Sequence, residues 1–363
     1  MTTPNRPDRS TVDERIAAVR RRRPRLRDDR VTLAHGAGGK ASRALVDAVF
    51  LEVFDDPALA ALGDAAVLEP PTDGQRLSVS TDSFVVQPRR FPGGSIGDLA
   101  INGTVNDVVA GGGRPAWLSV AFVIEEGFEV AELHAIVADM AAAATAAGVR
   151  IVTGDTKVVQ AGAADGVYIT TTGVGYVPVG RDLDARAVQP GDAVVLTGTL
   201  ADHGMAVMLA RGELAIDADI RSDTAPMHDL AEALFAAAPD TRWLRDPTRG
   251  GLGTTLNELA GAAGLGVILA EEALPVRPTV AGACDLLGID PVYVANEGKL
   301  VAVVPAEQTP DAVDALRAHP LGADAAVIGE VRADPPGTVV MRTAMGGSRV
   351  VDMLVGDPLP RIC

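Results

Sequence analysis

Thirty-nine glycines stand against an aromatic content of only 3%, and this pairing restricts the fold more than any single motif does. With few rings to fill space, a core has to be built from Ala, Val, Leu and Ile on backbones that approach one another closely, which glycine permits. The chain has 363 residues and is 47% hydrophobic, enough for two domains of ordinary size.

Strand and helix patterns alternate along the chain. After a Gly-rich turn, "HGAGGKASR", the run "ALVDAVFLEVF" predicts a helix. "DAAVLEP" and "RLSVSTDSFVV" read as β-branched strands bounded by turns. "SIGDLAINGTVNDVVAGG" reads as a helix, "PAWLSVAFVIEE" as a strand, and "VAELHAIVADMAAAATAAG" as an Ala-rich helix ending at Gly148. "VRIVTGDTKVV" and "GVYITTTGVGYV" close a first α+β unit at residue 177. The polar, Pro/Gly-rich "PVGRDLDARAVQPGD" reads as a linker. A second unit follows, with "GDAVVLTGTL", helices around 223–237, 251–263, 277–287 and 311–318, and strands that include "LGVILAEE", "LVAVVP", "AAVIGEV", "TVVMRT" and "RVVDMLV". The expected division is residues 1–30 as an Arg-rich disordered extension, 31–177 and 178–350 as two domains, and 351–363 as a closing strand and mobile tail.

Two cysteines, Cys284 and Cys363, make neither a disulfide framework nor a zinc cluster and suit a reducing compartment such as the cytoplasm. Cys284, among small apolar residues, reads as an inert core thiol. There is no apolar run long enough to span a membrane and no signal-peptide pattern. The net charge is −16, yet residues 1–30 hold ten Arg against five acids, so the remainder is near −21. An acidic body argues against a nucleic-acid groove, and the basic arm reads as a solvated extension.

Of 32 basic residues only three are lysines, Lys40, Lys157 and Lys299. They fall in "HGAGGK", "GDTK" and "NEGK", turn-like settings where a compact charge with three donors does what arginine cannot. "HGAGGKAS" is no P-loop, because position 34 is alanine. It remains either a phosphate cradle involving His35, Gly38 and Lys40 or an ordinary tight turn. Asp64, Asp82, Asp107, Asp155 and Asp246 are a more telling set. Any one of them reads first as a cap or turn residue, but five beside Gly, Thr or Asn suit a magnesium–nucleotide site. Asn106 adjoins Asp107, Thr156 lies between Asp155 and Lys157, and Arg249 in "DPTRGGLG" is a natural phosphate partner. Glu297 and Lys299, just before a buried strand, read as a base and a phosphate contact or as an ion-paired turn. His203 reads as a helix-capping residue.

The chain ends "PRIC". Two prolines in "GDPLPRIC" exclude a helix and favour extended chain, so the cysteine is either an accident of a floppy tail or a thiol presented on an arm.

The order of these motifs, from "HGAGGK" through "GDLAINGTVNDVVAGGGRPAWLS", "TGDTKVV", "RDPTRGGL" and "NEGKL" to "PRIC", closely resembles the HypE family, the carbamoyl dehydratases of NiFe-hydrogenase maturation. That family lies in the superfamily of aminoimidazole ribonucleotide synthetase, selenide water dikinase and thiamine-phosphate kinase. The resemblance covers residues 31–363 and leaves the Arg-rich extension outside. It implies a two-domain α/β fold, a homodimer formed through N-terminal strands, and ATP with Mg2+ bound near the dimer interface. It further implies that Cys363 is carbamoylated by HypF, that the thiocarbamate is dehydrated to a thiocyanate, and that the cyano group passes to iron held by HypC and HypD. In that scheme Cys363 is the carrier, Glu297 or the departing phosphate is the base, and Lys157 is a phosphate ligand. The rival readings are another ATP-using member of the superfamily, which needs no terminal thiol, and a non-catalytic thiol carrier, which needs no Asp cluster. A nucleic-acid binder would rest on the basic arm alone.

Overall fold

The structure, a computed structural model, describes residues 26–36, 40–56, 59, 74–212, 218–353 and 362. The strand expected at "DAAVLEP", with Asp64, lies outside the described residues, as do Gly38, Arg361 and Cys363.

Two mixed sheets dominate. The first is built from β1 (Arg76–Phe84), β4 (Arg114–Glu125), β5 (Arg150–Val159) and β6 (Val167–Val177), in the order β1-β6-β4-β5. Only the β4–β5 pair is parallel. A two-stranded ribbon, β2 (Arg90–Phe91) and β3 (Gly94–Ser95), precedes the central helix. The helices of this half are α1 (Lys40–Leu45, continued by a π-helical turn Val46–Leu51 and by Glu52–Phe54), α2 (Ile96–Ala110) and α3 (Val130–Ala146).

The second sheet has seven strands in the order β13-β12-β9-β11-β7-β10-β8. These are β7 (Ala193–Leu196), β8 (Trp243–Arg245), β9 (Gly266–Ala270), β10 (Val301–Val304), β11 (Ala326–Arg332), β12 (Val339–Arg342) and β13 (Ser348–Val351). Around them lie α4 (Asp202–Ala210), α5 (His228–Ala237), α6 (Gly251–Ala263), α7 (Pro278–Leu287) and α8 (Thr309–Ala318).

Helix α2 explains the composition. Its residues are buried on nearly every side, and it packs on β1 and β6 while touching α3, α5 and β8. The sheet admits it so closely that a Cβ on Gly175 would stand 2.5 Å from Val108 Cγ1 and from the Arg114 carbonyl oxygen. Ser95 opens the helix by accepting the Gly97 N–H at 3.1 Å. Helix α2 therefore lies between the two halves, and polar residues on it face both.

The helix expected from residue 223 begins instead at His228. Pro226 disfavours a helical conformation for Ala225, and the Ala225 carbonyl is taken by Asn106 at 3.0 Å. The short strands β2, β3 and β8 have too few residues to show a period. Residues 29–31, at the end of the Arg-rich extension, are already held: Val130 N donates to Asp29 O at 2.9 Å and Val31 N to Phe128 O at 2.7 Å.

Candidate active site

Three parts of the molecule carry the residues singled out above. One is a cleft where α2, β1, the residue after β8 and the segment before β10 converge. Asp107 on α2 accepts the Ser80 hydroxyl of β1 at 2.6 Å. Asp246 follows β8 and is buried; burial first, then the neighbouring Asp107 and Asp82 charges, push its carboxyl up to about 7. Asp107 is also raised, by burial and by Asp82, against the Ser80 hydrogen bond. Glu297 is fully buried and is raised well above the ordinary range by desolvation and by Asp246, Asp223, Asp82 and Asp107. Its Oε1 has no hydrogen-bond partner. Four carboxyl groups thus crowd one site.

Sequence reasoning missed Asp223. It accepts the backbone N–H groups of Glu297 and Gly298 at 3.2 Å each and pairs with Lys299 Nζ at 3.3 Å. Burial alone would raise this carboxyl, but Lys299, His203 and those N–H groups outweigh it and hold it below the usual range. Gly298 is required here, since a Cβ would fall 1.8 Å from the Asp223 carbonyl oxygen. Only the fold could reveal Asp223, because its partners are seventy-odd residues away.

Two asparagines hold this cleft together. Asn106 donates to the carbonyls of Ala225 and Glu297 at 3.0 Å each and accepts the Met227 N–H at 2.8 Å. Its amide is engaged by the protein itself. Asn296 accepts the Ala201 N–H at 2.8 Å and donates to the carbonyls of Pro247 and Val294 at 3.0 Å each. Ala201 has φ +72°, a left-handed conformation that the Asn296 bond helps to fix. It launches α4, whose second residue is His203.

The second part is where the tail returns. Ile362 forms an antiparallel bridge with Val86, just beyond β1, and its side chain is 2% exposed. His203 Nε2 lies 2.5 Å from the Ile362 carbonyl oxygen. His203 is thus no simple helix cap: it is buried, and it meets the residue bonded to Cys363.

The third part is a cavity of about 360 Å³ between α1 and the β4–β5 edge of the first sheet. His35, Asp155, Thr156 and Lys157 line it, with Phe50 and Phe122 among its apolar walls. Thr32 N donates to His35 Nδ1 at 2.9 Å and fixes the ring. The volume suits a small-molecule group with apolar and polar sides.

The five aspartates are therefore not one cluster. Asp82, Asp107 and Asp246 share the cleft. Asp155 sits on β5 at the opposite edge of the sheet from β1, three strand spacings or roughly 14 Å away. Among the described residues, no three acidic, His or Cys side chains complete a metal-binding group by themselves. Arg249 is exposed ahead of α6, and Lys299 is buried against Asp223. Cys284 is buried, and burial, followed by Asp285 and Asp290, raises its thiol to about 11, consistent with an inert core position. Among the described residues no helix is long and apolar enough to cross a membrane.

Comparison with known proteins agrees with this geometry. The AIR synthase related protein N-terminal domain matches residues 62–177 and the corresponding C-terminal domain residues 189–342. Carbamoyl dehydratase HypE of Rhodobacter capsulatus is 56% identical over 341 residues, covering 93% of this chain and 99% of that protein. A crystal structure of the hydrogenase maturation protein HypE in complex with ATP superposes with a TM-score of 0.87 at 46% identity, covering 92% of this chain and 99% of that one. A structure of a HypE–HypF complex matches with a TM-score of 0.75 at 45% identity, over 86% of this chain and all of that one. Close in sequence along nearly its whole length and alike in fold, this chain belongs to the HypE family, the carbamoyl dehydratases of hydrogenase maturation.

Proposed function

We propose that the protein uses ATP to dehydrate an S-carbamoyl group on its own Cys363 to a thiocyanate, the source of cyano ligands for NiFe-hydrogenase iron. The observation that carries this reading is Ile362 seated between Val86 and His203. Through Ser222 and Asp223 that seat is continuous with the Glu297 cleft.

The carbamoyl oxygen is a poor leaving group. Its attack on the γ-phosphorus breaks the bond to ADP, and with loss of one N–H proton it leaves an O-phosphorylated imidate. Loss of phosphate with the second N–H proton gives the C≡N bond. The sum is carbamoyl thioester and ATP to thiocyanate, ADP, phosphate and a proton. Phosphoryl transfer of this kind needs positioning and charge neutralisation. Asp82, Asp107 and Asp246 would hold magnesium at the cleft, and the ion would supply that charge neutralisation. The fit rests on crowded carboxyl groups that raise one another's pKa and on the unpartnered Glu297 Oε1.

Glu297 takes a nitrogen proton. Burial makes its carboxylate a strong base, and the Asp223 contacts to the backbone of Glu297 and Gly298 hold it in place. Lys157, Thr156 and His35, which line the cavity, serve the nucleotide there, Lys40 of the Gly-rich turn is a further phosphate ligand, and Arg249 and Lys299 serve as phosphate partners. Residues 31–177 form the ATP-binding and dimerising unit, 178–350 the second domain and 351–363 the carrier tail. The homodimer is supported by the outer face of the first sheet, where Leu77 and Val79 are 55% and 62% exposed. HypF loads the tail and the HypC–HypD scaffold receives its cyano group, in the cytoplasm where the thiol stays reduced.

The test is intact-protein mass spectrometry after incubation with HypF and a carbamoyl donor, then with Mg–ATP. A carbamoyl mass at Cys363 that loses one water only with ATP is the expected result. Asp246→Asn should arrest the protein in the carbamoyl form. ATP consumption with no modification at Cys363 would sink the proposal.

A further inference from the structure

We propose that His203 is a positioning residue that holds Ile362, the residue before Cys363, in its seat beside Val86 through its Nε2–H bond to the Ile362 carbonyl.

The ring's orientation is fixed on three sides. The Ser222 hydroxyl lies 2.8 Å from Nδ1. That hydroxyl oxygen already accepts the Thr224 N–H at 3.1 Å, which leaves its own hydrogen to donate to Nδ1. In the neutral ring the proton then sits on Nε2, aimed at the Ile362 carbonyl 2.5 Å away. Phe91 packs edge-on to the imidazole with centroids 5.5 Å apart. Burial lowers the pKa of His203 and keeps it in this neutral, one-donor form.

The tail needs such a latch because of its own sequence. Pro358 and Pro360 have no N–H, so they can donate nothing to a sheet ladder. Among the described residues, Ile362 is held by the bridge to Val86, by the burial of its own side chain and by His203. A carrier must also be released, and one hydrogen bond with one side chain can be broken without unfolding a domain. His203 touches the peptide next to the thiol, so it sets where the thiol stands without acting on it. This inference rests on the function proposed above, and its test is chosen to fail separately.

The measurement is the rate at which iodoacetamide alkylates Cys363 in the full-length protein, read by intact mass. His203→Ala should alkylate about tenfold faster than the wild type, the loss of one buried hydrogen bond. In a single turnover the same variant, carbamoylated, should lose water about tenfold more slowly on adding Mg–ATP. His203→Gln, whose side-chain amide can donate to the same carbonyl, should recover most of both effects, which a general packing defect would not allow. Ile362→Gly removes the other half of the latch from the tail itself and should also alkylate about tenfold faster, so misfolding of the histidine variants leaves the idea testable. Wild-type alkylation rates in His203→Ala, or in Ile362→Gly, would overturn it. Alkylation requires neither carbamoyl group nor ATP. A protein protected at Cys363 but inert as a dehydratase therefore refutes the proposed function and keeps the latch, and an active protein with unchanged alkylation does the reverse.

Discussion

Lys299 Nζ stands 3.3 Å from Asp223 Oδ2, and both side chains are withdrawn from solvent. The pair binds the segment before β10 to the one before α5, and Asp223 also orients the Glu297 and Gly298 peptides. Removing one partner leaves the other charge buried alone. Asp223→Ala should lower stability by about 3–5 kcal/mol, seen as a lower denaturant midpoint at unchanged slope. Asp223→Ala combined with Lys299→Met should regain part of that loss. A double variant no more stable than the single one would show that the two charges do not interact.

Gly298 sets a steric limit beside that pair. The alanine Cβ would fall 1.8 Å from a backbone oxygen, and backbone cannot swing aside as a side chain can. Gly298→Ala should displace Glu297 and slow dehydration by about 100-fold or more, while Gly261→Ala, with open space around its Cβ, should match the wild type. Equal activity in both variants would show that the cleft tolerates a shift at this loop.

Glu232 on α5 joins the two halves. It accepts Arg181 at 2.6 Å and Arg114 of β4 at 2.5 Å. Burial opposes its ionisation, but the two guanidinium groups prevail and bring the carboxyl down to about 2. A depressed folded value means that the contribution is complete above the unfolded value near 4.5 and is lost as pH falls towards 2. With Arg114 largely exposed and screened, it amounts to about 1–2 kcal/mol. Glu232→Gln should cost that much at pH 7 and progressively less in acid melts. A cost that stays constant with pH would assign the effect to packing.

The alternation of strands and helices was legible because α2, α3 and β4 to β6 are long enough to display a period. So was the small-residue core, since Gly175 is explained by the closeness of α2. The terminal thiol and Glu297 were visible because their local motifs are distinctive. Asp223 and Ser222 were not, and His203 was legible only as a helix cap. Each is an ordinary polar residue whose role arises from partners far along the chain, and in His203 the partner is 159 residues away. Asp82 and Asp155 looked alike in sequence, yet strand order sets Asp155 at one edge of the sheet and Asp82 at the other.

Magnesium dependence follows from the same placement. Asp107→Asn should raise the magnesium concentration needed for half-maximal dehydration by about 10–100-fold, whereas Asp155→Asn should leave that requirement near the wild-type value. Titration of magnesium against the single-turnover rate distinguishes them. An equal shift in both variants would mean that the opposite sheet edges meet across protomers at one ion.

Glu297 sets stability against function. Desolvation and four neighbouring carboxyl groups raise its folded pKa well above the ordinary value. The folded protein then holds this proton more tightly than the unfolded chain does. Its contribution is complete below the unfolded value, near 4.5, and is lost as pH rises through the folded value. With EDTA present and nucleotide absent, the wild type should therefore lose stability as pH rises. Glu297→Gln cannot ionise and should remove that part of the slope, melting higher by about 1–2 kcal/mol at pH 8. The same substitution should slow ATP-dependent dehydration by about 100- to 10,000-fold, the loss of a positioned base. Parallel melting curves for the two proteins across this range would mean that Glu297 does not titrate there, and a near-normal rate in Glu297→Gln would pass the proton to departing phosphate.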